Sequence, residues 1–271
     1  MPHIEANGQR LYYEVHGAGE PLLCVMGLAA NTLGWALQVP AFSERHKTVI
    51  FDNRDVGGSS MASEQYEIRD MAQDTLALAD GLGLDSFHLL GYSMGGAIAQ
   101  EVALAAPERV STLTLAVTFA AAGRWGRKLS EIWGARRPRV SREEHIDELM
   151  LLTLSEAFFE NDEATQYVRG MMLGDPNPQH PEAFARQLEA SSRHDSRDRL
   201  GSLTMPTHVI GCEHDILVPI WKQRELTALI PDAKLTVIER APHGANLERP
   251  MEFNSLVLDF IAEQQQSPTA A

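Results

Sequence analysis

A serine framed by glycines, Gly91-Tyr92-Ser93-Met94-Gly95, follows the apolar stretch 87–90 and opens the small-residue run 94–106. A serine hydroxyl is a weak nucleophile unless it is held exposed beside a base. A strand that turns sharply into a helix gives that exposure, because it lifts the side chain above the sheet. Glycines on either side let the backbone make the turn where a Cβ would clash. The chemistry such a serine serves is attack on an acyl carbon. The G-x-S-x-G spacing alone is a weak signal. A strand before it and a helix after it make the signal specific.

The elements that must position Ser93 alternate along the chain. Residues 3–7 and 10–16 read as a hairpin turning on Asn7-Gly8. Continuous apolar runs at 21–26, 48–51, 87–90, 110–117, 207–211 and 235–238 read as strands covered on both faces. Residues 68–82 place apolar or small side chains on one helical face, closed by Gly83. The stretches 94–106, 221–230 and 251–264 also read as helices. This alternation predicts an α/β fold with a doubly wound, mostly parallel sheet. The middle differs: 120–200 shows no strand and reads as helices at about 142–160, 162–173 and 181–192. The expected organisation is a core of 1–119 and 201–271 with 120–200 inserted as a helical segment.

With 271 residues, 44% hydrophobic and 22% charged, the composition is that of a soluble globular chain. A net charge of −14 repels polyphosphate and argues against a nucleic-acid partner. No apolar run approaches the roughly 18 residues of a membrane span, and the N-terminus lacks a signal pattern, so a cytoplasmic location is expected. Cys24 and Cys212 read as buried small side chains in strands, not as a disulfide. His214, beside Asp215 and near Cys212, is a poor metal site because adjacent strand-end residues rarely converge on one ion. Neither a metal nor a cofactor is expected. Charge is uneven: 124–142 carries seven basic residues against Glu131. That run is either a solvated face or a surface that docks on the acidic core or on a second copy of the chain, giving a homodimer. The tail QQQSPTAA reads as frayed.

The elbow and its setting resemble the α/β-hydrolase family over nearly the whole chain. That resemblance implies a triad in the order Ser, acid, His. Gly211-Cys212-Glu213-His214-Asp215 through Pro219 is similar to the family's acid motif, which assigns Asp215 as the acid, with Glu213 as the rival two residues away. Ala241-Pro242-His243-Gly244 after the last strand assigns His243. The oxyanion hole would use the backbone N–H groups of Met94 and Leu28, in the loop Val25-Met26-Gly27-Leu28-Ala29, where Met26 stands in place of the histidine of many relatives. Residues 52–59, DNRDVGGS, resemble the family's D-x-R-G-x-G-x-S loop with Asp55 in place of Gly, and read as structural. The segment 120–200 corresponds to the family's cap. Leu28, Phe119, Trp125 and Trp133 are candidate pocket residues, and Phe158, Phe159, Met171 and Met172 extend the same apolar set.

The function implied is a serine hydrolase that cleaves carboxylic esters or lactones of small to medium, largely uncharged substrates through an acyl-enzyme on Ser93. The −14 charge disfavours anionic substrates, and Ala97 leaves no arginine beside the elbow to hold an anion. Rates should rise with acyl length to about hexanoate. The alternatives are other chemistry on the same triad (C–C bond hydrolysis, perhydrolysis or a lyase reaction) and a non-enzymatic small-molecule sensor.

Overall fold

The computed structural model describes residues 2–266. Eight strands form one sheet: β1 (His3–Ala6), β2 (Gln9–His16), β3 (Pro21–Val25), β4 (Lys47–Phe51), β5 (Phe87–Tyr92), β6 (Val110–Ala116), β7 (Thr207–Cys212) and β8 (Lys234–Ile238), in the order β1-β2-β4-β3-β5-β6-β7-β8. Pairs involving β1 or β2 are antiparallel and all others parallel. The β1–β2 hairpin turns on Asn7 and Gly8, both at positive φ (49° and 74°), the conformation that makes Asn-Gly a hairpin signal. The helices are α1 (Val39–Ser43), α2 (Ile68–Gly81), α3 (Met94–Ala105), α4 (Gly123–Arg136), α5 (Arg142–Thr153), α6 (Glu156–Phe159), α7 (Asp162–Leu173), α8 (Pro181–Arg193), α9 (Ile220–Leu229), α10 (Ala245–Glu248) and α11 (Pro250–Gln266). The frayed tail expected from the sequence lies, from residue 267 on, outside the described residues; Gln264–Gln266 belong to α11.

Strand residues alternate between two cores, as a period of two requires. Leu23, Val25, Leu89 and Val209 pack with Met71 and Leu78 of α2 and Ile98 and Val102 of α3. Leu22, Cys24, Leu90 and Ile210 pack on the other face with Phe253, Val257 and Ile261 of α11. Burying each such large apolar side chain stabilises the fold by about 1.5–3 kcal/mol. Cys24 and Cys212 are free and buried in β3 and β7, which β5 and β6 separate.

Between β6 and β7 the chain is helical, α4 to α8, and its two ends are stitched together: Ser196 N donates to Ala120 O (3.0 Å) and Ala122 N to His194 O (3.4 Å). Two features depart from the sequence reading. Helix α4 carries Gly123, Gly126 and Gly134, each lowering helix propensity by up to about 1 kcal/mol, which hides it in the sequence. The helix expected over 142–160 breaks at Leu154, which is extended. Ser155 caps α6, and its N–H and Oγ both donate to Glu248. The basic run is largely a solvated face. Arg124, Arg127 and Arg139 are exposed, Lys128 pairs with Glu131 and Arg136 with Glu148. Among the described residues, none of it pairs with a carboxylate of the strand-bearing core. The ion pair that ties α8 to that core is Arg186–Asp55.

Burial holds the imidazoles of His194 and His208 neutral, pushing their pKa values from the ordinary 6.5 down to about 4. Next after desolvation, Glu101 opposes the shift at His194, whereas Lys234 adds to it at His208. The unfolded chain takes up these protons near pH 6.5, whereas the folded protein does so only near 4, so stability is lost as the pH falls through that window. The denaturation midpoint is therefore expected to decline between pH 6.5 and 4.5, and less steeply in His208→Gln. Parallel curves for the two proteins would contradict this.

Candidate active site

Ser93 occupies the junction of β5 and α3 at φ 56° and ψ −120°, a conformation costly for a residue with a Cβ. Three hydrogen bonds hold it there. Its N–H donates to Ala116 O (2.9 Å), and its carbonyl accepts from Gly96 N (2.9 Å) and Thr118 Oγ1 (2.6 Å). Both flanking glycines are required sterically. A Cβ on Gly95 would lie 2.1 Å from Val25 O, and one on Gly91 would lie 2.4 Å from Gly95 O.

His243, in the turn between β8 and α10, brings Nε2 to 3.0 Å from Ser93 Oγ, while its Nδ1 lies 2.7 Å from Asp215 Oδ2. Asp215 is buried at the end of β7, and its other oxygen accepts the N–H groups of Leu217 (2.9 Å) and Val218 (2.7 Å). A carboxylate held on both oxygens keeps the imidazole in one orientation and leaves Nε2 to face the hydroxyl. Glu213 lies apart from this chain: it is exposed and accepts from Arg240 N (2.9 Å). The rival carboxylate therefore makes a turn contact and does not reach the imidazole.

Leu28 and Met94 line the cavity that opens on Ser93, and neither backbone N–H has a hydrogen-bond acceptor among the described residues. The loop carrying Leu28 is fixed from both sides. Asn53 Nδ2 donates to Met26 O (2.9 Å), and Gln187 Oε1 of α8 accepts from Ala29 N (3.0 Å), while Gln187 Nε2 donates to Arg54 O (3.0 Å). Met26, in the position that many relatives give to histidine, buries its side chain with Trp35 and Tyr92 and closes over Gly34. The 52–59 loop is structural in its contacts: Asp52 accepts from Thr32 N (2.7 Å) and Gly58 N (2.8 Å). Asp55, the departure from glycine, keeps a positive φ of 71° and takes a bidentate contact from Arg186 (2.8 and 2.9 Å).

Phe119, Trp125 and Trp133 line the same cavity as Ser93, so all four candidate pocket residues, with Leu28, converge there. None of the wider apolar set does. Phe158, Met171 and Met172 line a second cavity that contains no member of the Ser93 group, and Phe159 packs under it with Ile146, Met150 and Leu154. The cavity on Ser93 has a volume of about 80 Å³, small beside the roughly 300–1,000 Å³ of pockets for drug-sized ligands.

Some residues of the site were not apparent from the sequence. Tyr92, between the elbow's first glycine and Ser93, donates its hydroxyl to the His243 carbonyl and sets its ring edge-on to the imidazole (6.0 Å). Its position in the motif was the available clue. Lys222 is buried in the cavity wall, donating to Ala121 O (2.7 Å) and Ala122 O (3.0 Å), and desolvation lowers its pKa. Gly244 N donates to Thr153 O (2.6 Å), tying the histidine turn to α5. Among the described residues no three His, Cys, Asp or Glu side chains converge in a way that could hold a metal, and no helix is long and apolar enough to cross a membrane.

Residues 20–250 match the family model described as alpha/beta hydrolase fold. A protein of Azorhizobium caulinodans that bears the provisional name carbamate hydrolase RutD is 29% identical, the match spanning 98% of this chain and all of that one. A thermophilic esterase from Thermogutta terrifontis superposes with a TM-score of 0.86 at 25% identity, over 97% of this chain and 99% of the esterase. A Mycobacterium tuberculosis protein with the provisional name non-heme bromoperoxidase BpoC superposes with a TM-score of 0.86 at 26% identity, over 94% of this chain and 96% of that one.

Proposed function

The chain belongs to the α/β-hydrolase family, and we propose that it is a serine hydrolase acting on small, largely uncharged carboxylic esters or lactones. The observation that carries this reading is the Asp215–His243–Ser93 relay, at 2.7 and 3.0 Å, ending at an apolar cavity. In this reading Ser93 Oγ bonds to the acyl carbon as its proton passes to His243 Nε2. Collapse of the tetrahedral intermediate breaks the bond to the leaving oxygen, which takes that proton. Water then repeats the sequence on the acyl-enzyme, restoring the hydroxyl and releasing the acid. Asp215 orients the imidazole and stabilises its charged form. The Leu28 and Met94 amides would receive the developing oxyanion, each worth about 3 kcal/mol by analogy with measured donors. A lactone needs the same groups, since its leaving oxygen merely stays tethered.

The relatives share the fold while their names differ in the reaction, so the substrate class follows from this chain's own cavity. Its lining is mostly aliphatic and aromatic, with Ser130, Ser191 and Ser192 as neutral polar groups, and the one charged side chain, Lys222, is engaged by two carbonyls. The −14 net charge opposes free carboxylates at long range. Each added methylene should raise kcat/KM at most three- to fourfold, since its burial is worth up to about 0.8 kcal/mol, until the small cavity is full. In a p-nitrophenyl ester series, kcat/KM is expected to rise from acetate to butyrate and to fall by hexanoate, with carboxylated analogues slower throughout. A preference for carboxylated esters, or a rise continuing past octanoate, would contradict this pocket reading and leave the relay untouched.

A further inference from the structure

A second cavity, about 400 Å³ and larger than the one on Ser93, lies between the loop after β3 and helices α5 and α7, and shares no lining residue with the cavity on Ser93. Most of its wall is apolar, with Ile146, Leu149, Val168 and Met172 inside and Leu33, Leu37 and Tyr167 exposed at its mouth.

Three polar side chains of that wall each carry a buried atom without a hydrogen-bond partner. Arg137 is 8% exposed, yet its guanidinium makes no hydrogen bond or ion pair among the described residues, and its Nε is fully buried. His145 is equally buried, with Nδ1 unpartnered and its ring edge-on to Phe184 (4.7 Å). Gln179 presents an unpartnered Oε1, its amide nitrogen being spent on Gln187. The neighbouring charges are already occupied. Asp175 accepts from Asn31 Nδ2 (2.9 Å) and Asn177 N (2.8 Å), Arg142 donates to the Met172 and Asp175 carbonyls, and Glu148 pairs with Arg136.

A guanidinium with its Nε buried and no paired carboxylate is costly, and one set in the wall of a mostly apolar cavity is suited to be completed by an anion. Arg137 also sits within the one strongly basic stretch of an acidic chain, so the local field there favours what the net charge repels.

We propose that this cavity binds an amphipathic carboxylate: its head on Arg137, with the His145 imidazole beside it, and its alkyl body along the α5 and α7 walls. The site is separate from Ser93, and the inference does not rest on the hydrolase reading. Desolvation lowers the Arg137 pKa although nearby Glu148 partly opposes it, and desolvation together with the Arg137 charge pushes that of His145 down to about 4.

Calorimetric titration of decanoate and of decanol into the full-length protein tests this. Decanoate is expected to bind one to one, equally well to unmodified protein and to protein whose Ser93 is blocked by a fluorophosphonate. Its affinity should fall at least about tenfold in Arg137→Gln, the loss of a charge-assisted contact. Decanol should bind weakly and ignore that substitution. Turnover of p-nitrophenyl acetate should be retained in Arg137→Gln, which also reports that the variant is folded. Should it fail to fold, Met171→Trp, at the partly exposed mouth, should weaken decanoate by occupying the cavity. Equal decanoate affinity with and without Arg137, loss of binding on blocking Ser93, or saturation only through self-association of the protein would each overturn the proposal.

Discussion

Ser93→Ala and His243→Ala are each expected to lower kcat for p-nitrophenyl acetate by at least about a thousandfold, with the double variant scarcely worse than either alone. The reason is geometric. Ser93 Oγ and His243 Nε2 are 3.0 Å apart, so neither has a substitute within reach: the hydroxyl without the base is a weak nucleophile, and the base without the hydroxyl has nothing to activate. Residual rate would come from substrate held against the Leu28 and Met94 amides. Near-native folding is expected for both variants. Loss of Ser93 Oγ removes one contact and leaves the three backbone hydrogen bonds that hold the turn. Additive losses in the double variant would show that the two residues do not act as a unit.

The second large effect separates two carboxylates only two residues apart. Asp215→Asn should lose far more kcat than Glu213→Gln, by a factor of about a thousand or more if the imidazole adopts the wrong tautomer. Asp215 accepts from His243 Nδ1 and from two backbone amides, so an asparagine there turns an acceptor into a donor at one of these contacts. Glu213 lies exposed on Arg240 N, and its amide analogue should fold and turn over almost normally. Measuring both variants with circular dichroism alongside kinetics decides the matter. A worse enzyme from Glu213→Gln would mean that the acid is misassigned.

What could be read in the sequence was what local chemistry encodes. The strands announced themselves because both their faces are buried, so their sequences are continuous apolar runs. The Asn7-Gly8 turn and the elbow at Ser93 depend on backbone conformations that few residue types accept. Asp215 and His243 were placed only by resemblance to the family's motifs, since nothing in the local sequence says that chain ends 28 residues apart meet. The residues left unread act at long range. Gln187 reaches the loop at Ala29 across 158 positions, and Lys222 reaches Ala121 across 101. Each sits on an unremarkable helix whose pattern does not mark such a contact. The glycines of α4 and the break at Leu154 misled for the opposite reason. There, contacts made in the folded chain, such as Glu248 on Ser155, override what propensity and periodicity suggest.

The most direct test of the central claim is the mass of the intact protein after exposure to a fluorophosphonate. A serine poised by His243 should acquire one adduct, mapping to the peptide that bears Ser93, and the adduct should be absent in Ser93→Ala and strongly slowed in His243→Ala. Labelling of Ser93→Ala at the same rate, or an adduct on another residue, would contradict the assignment of Ser93 as the nucleophile.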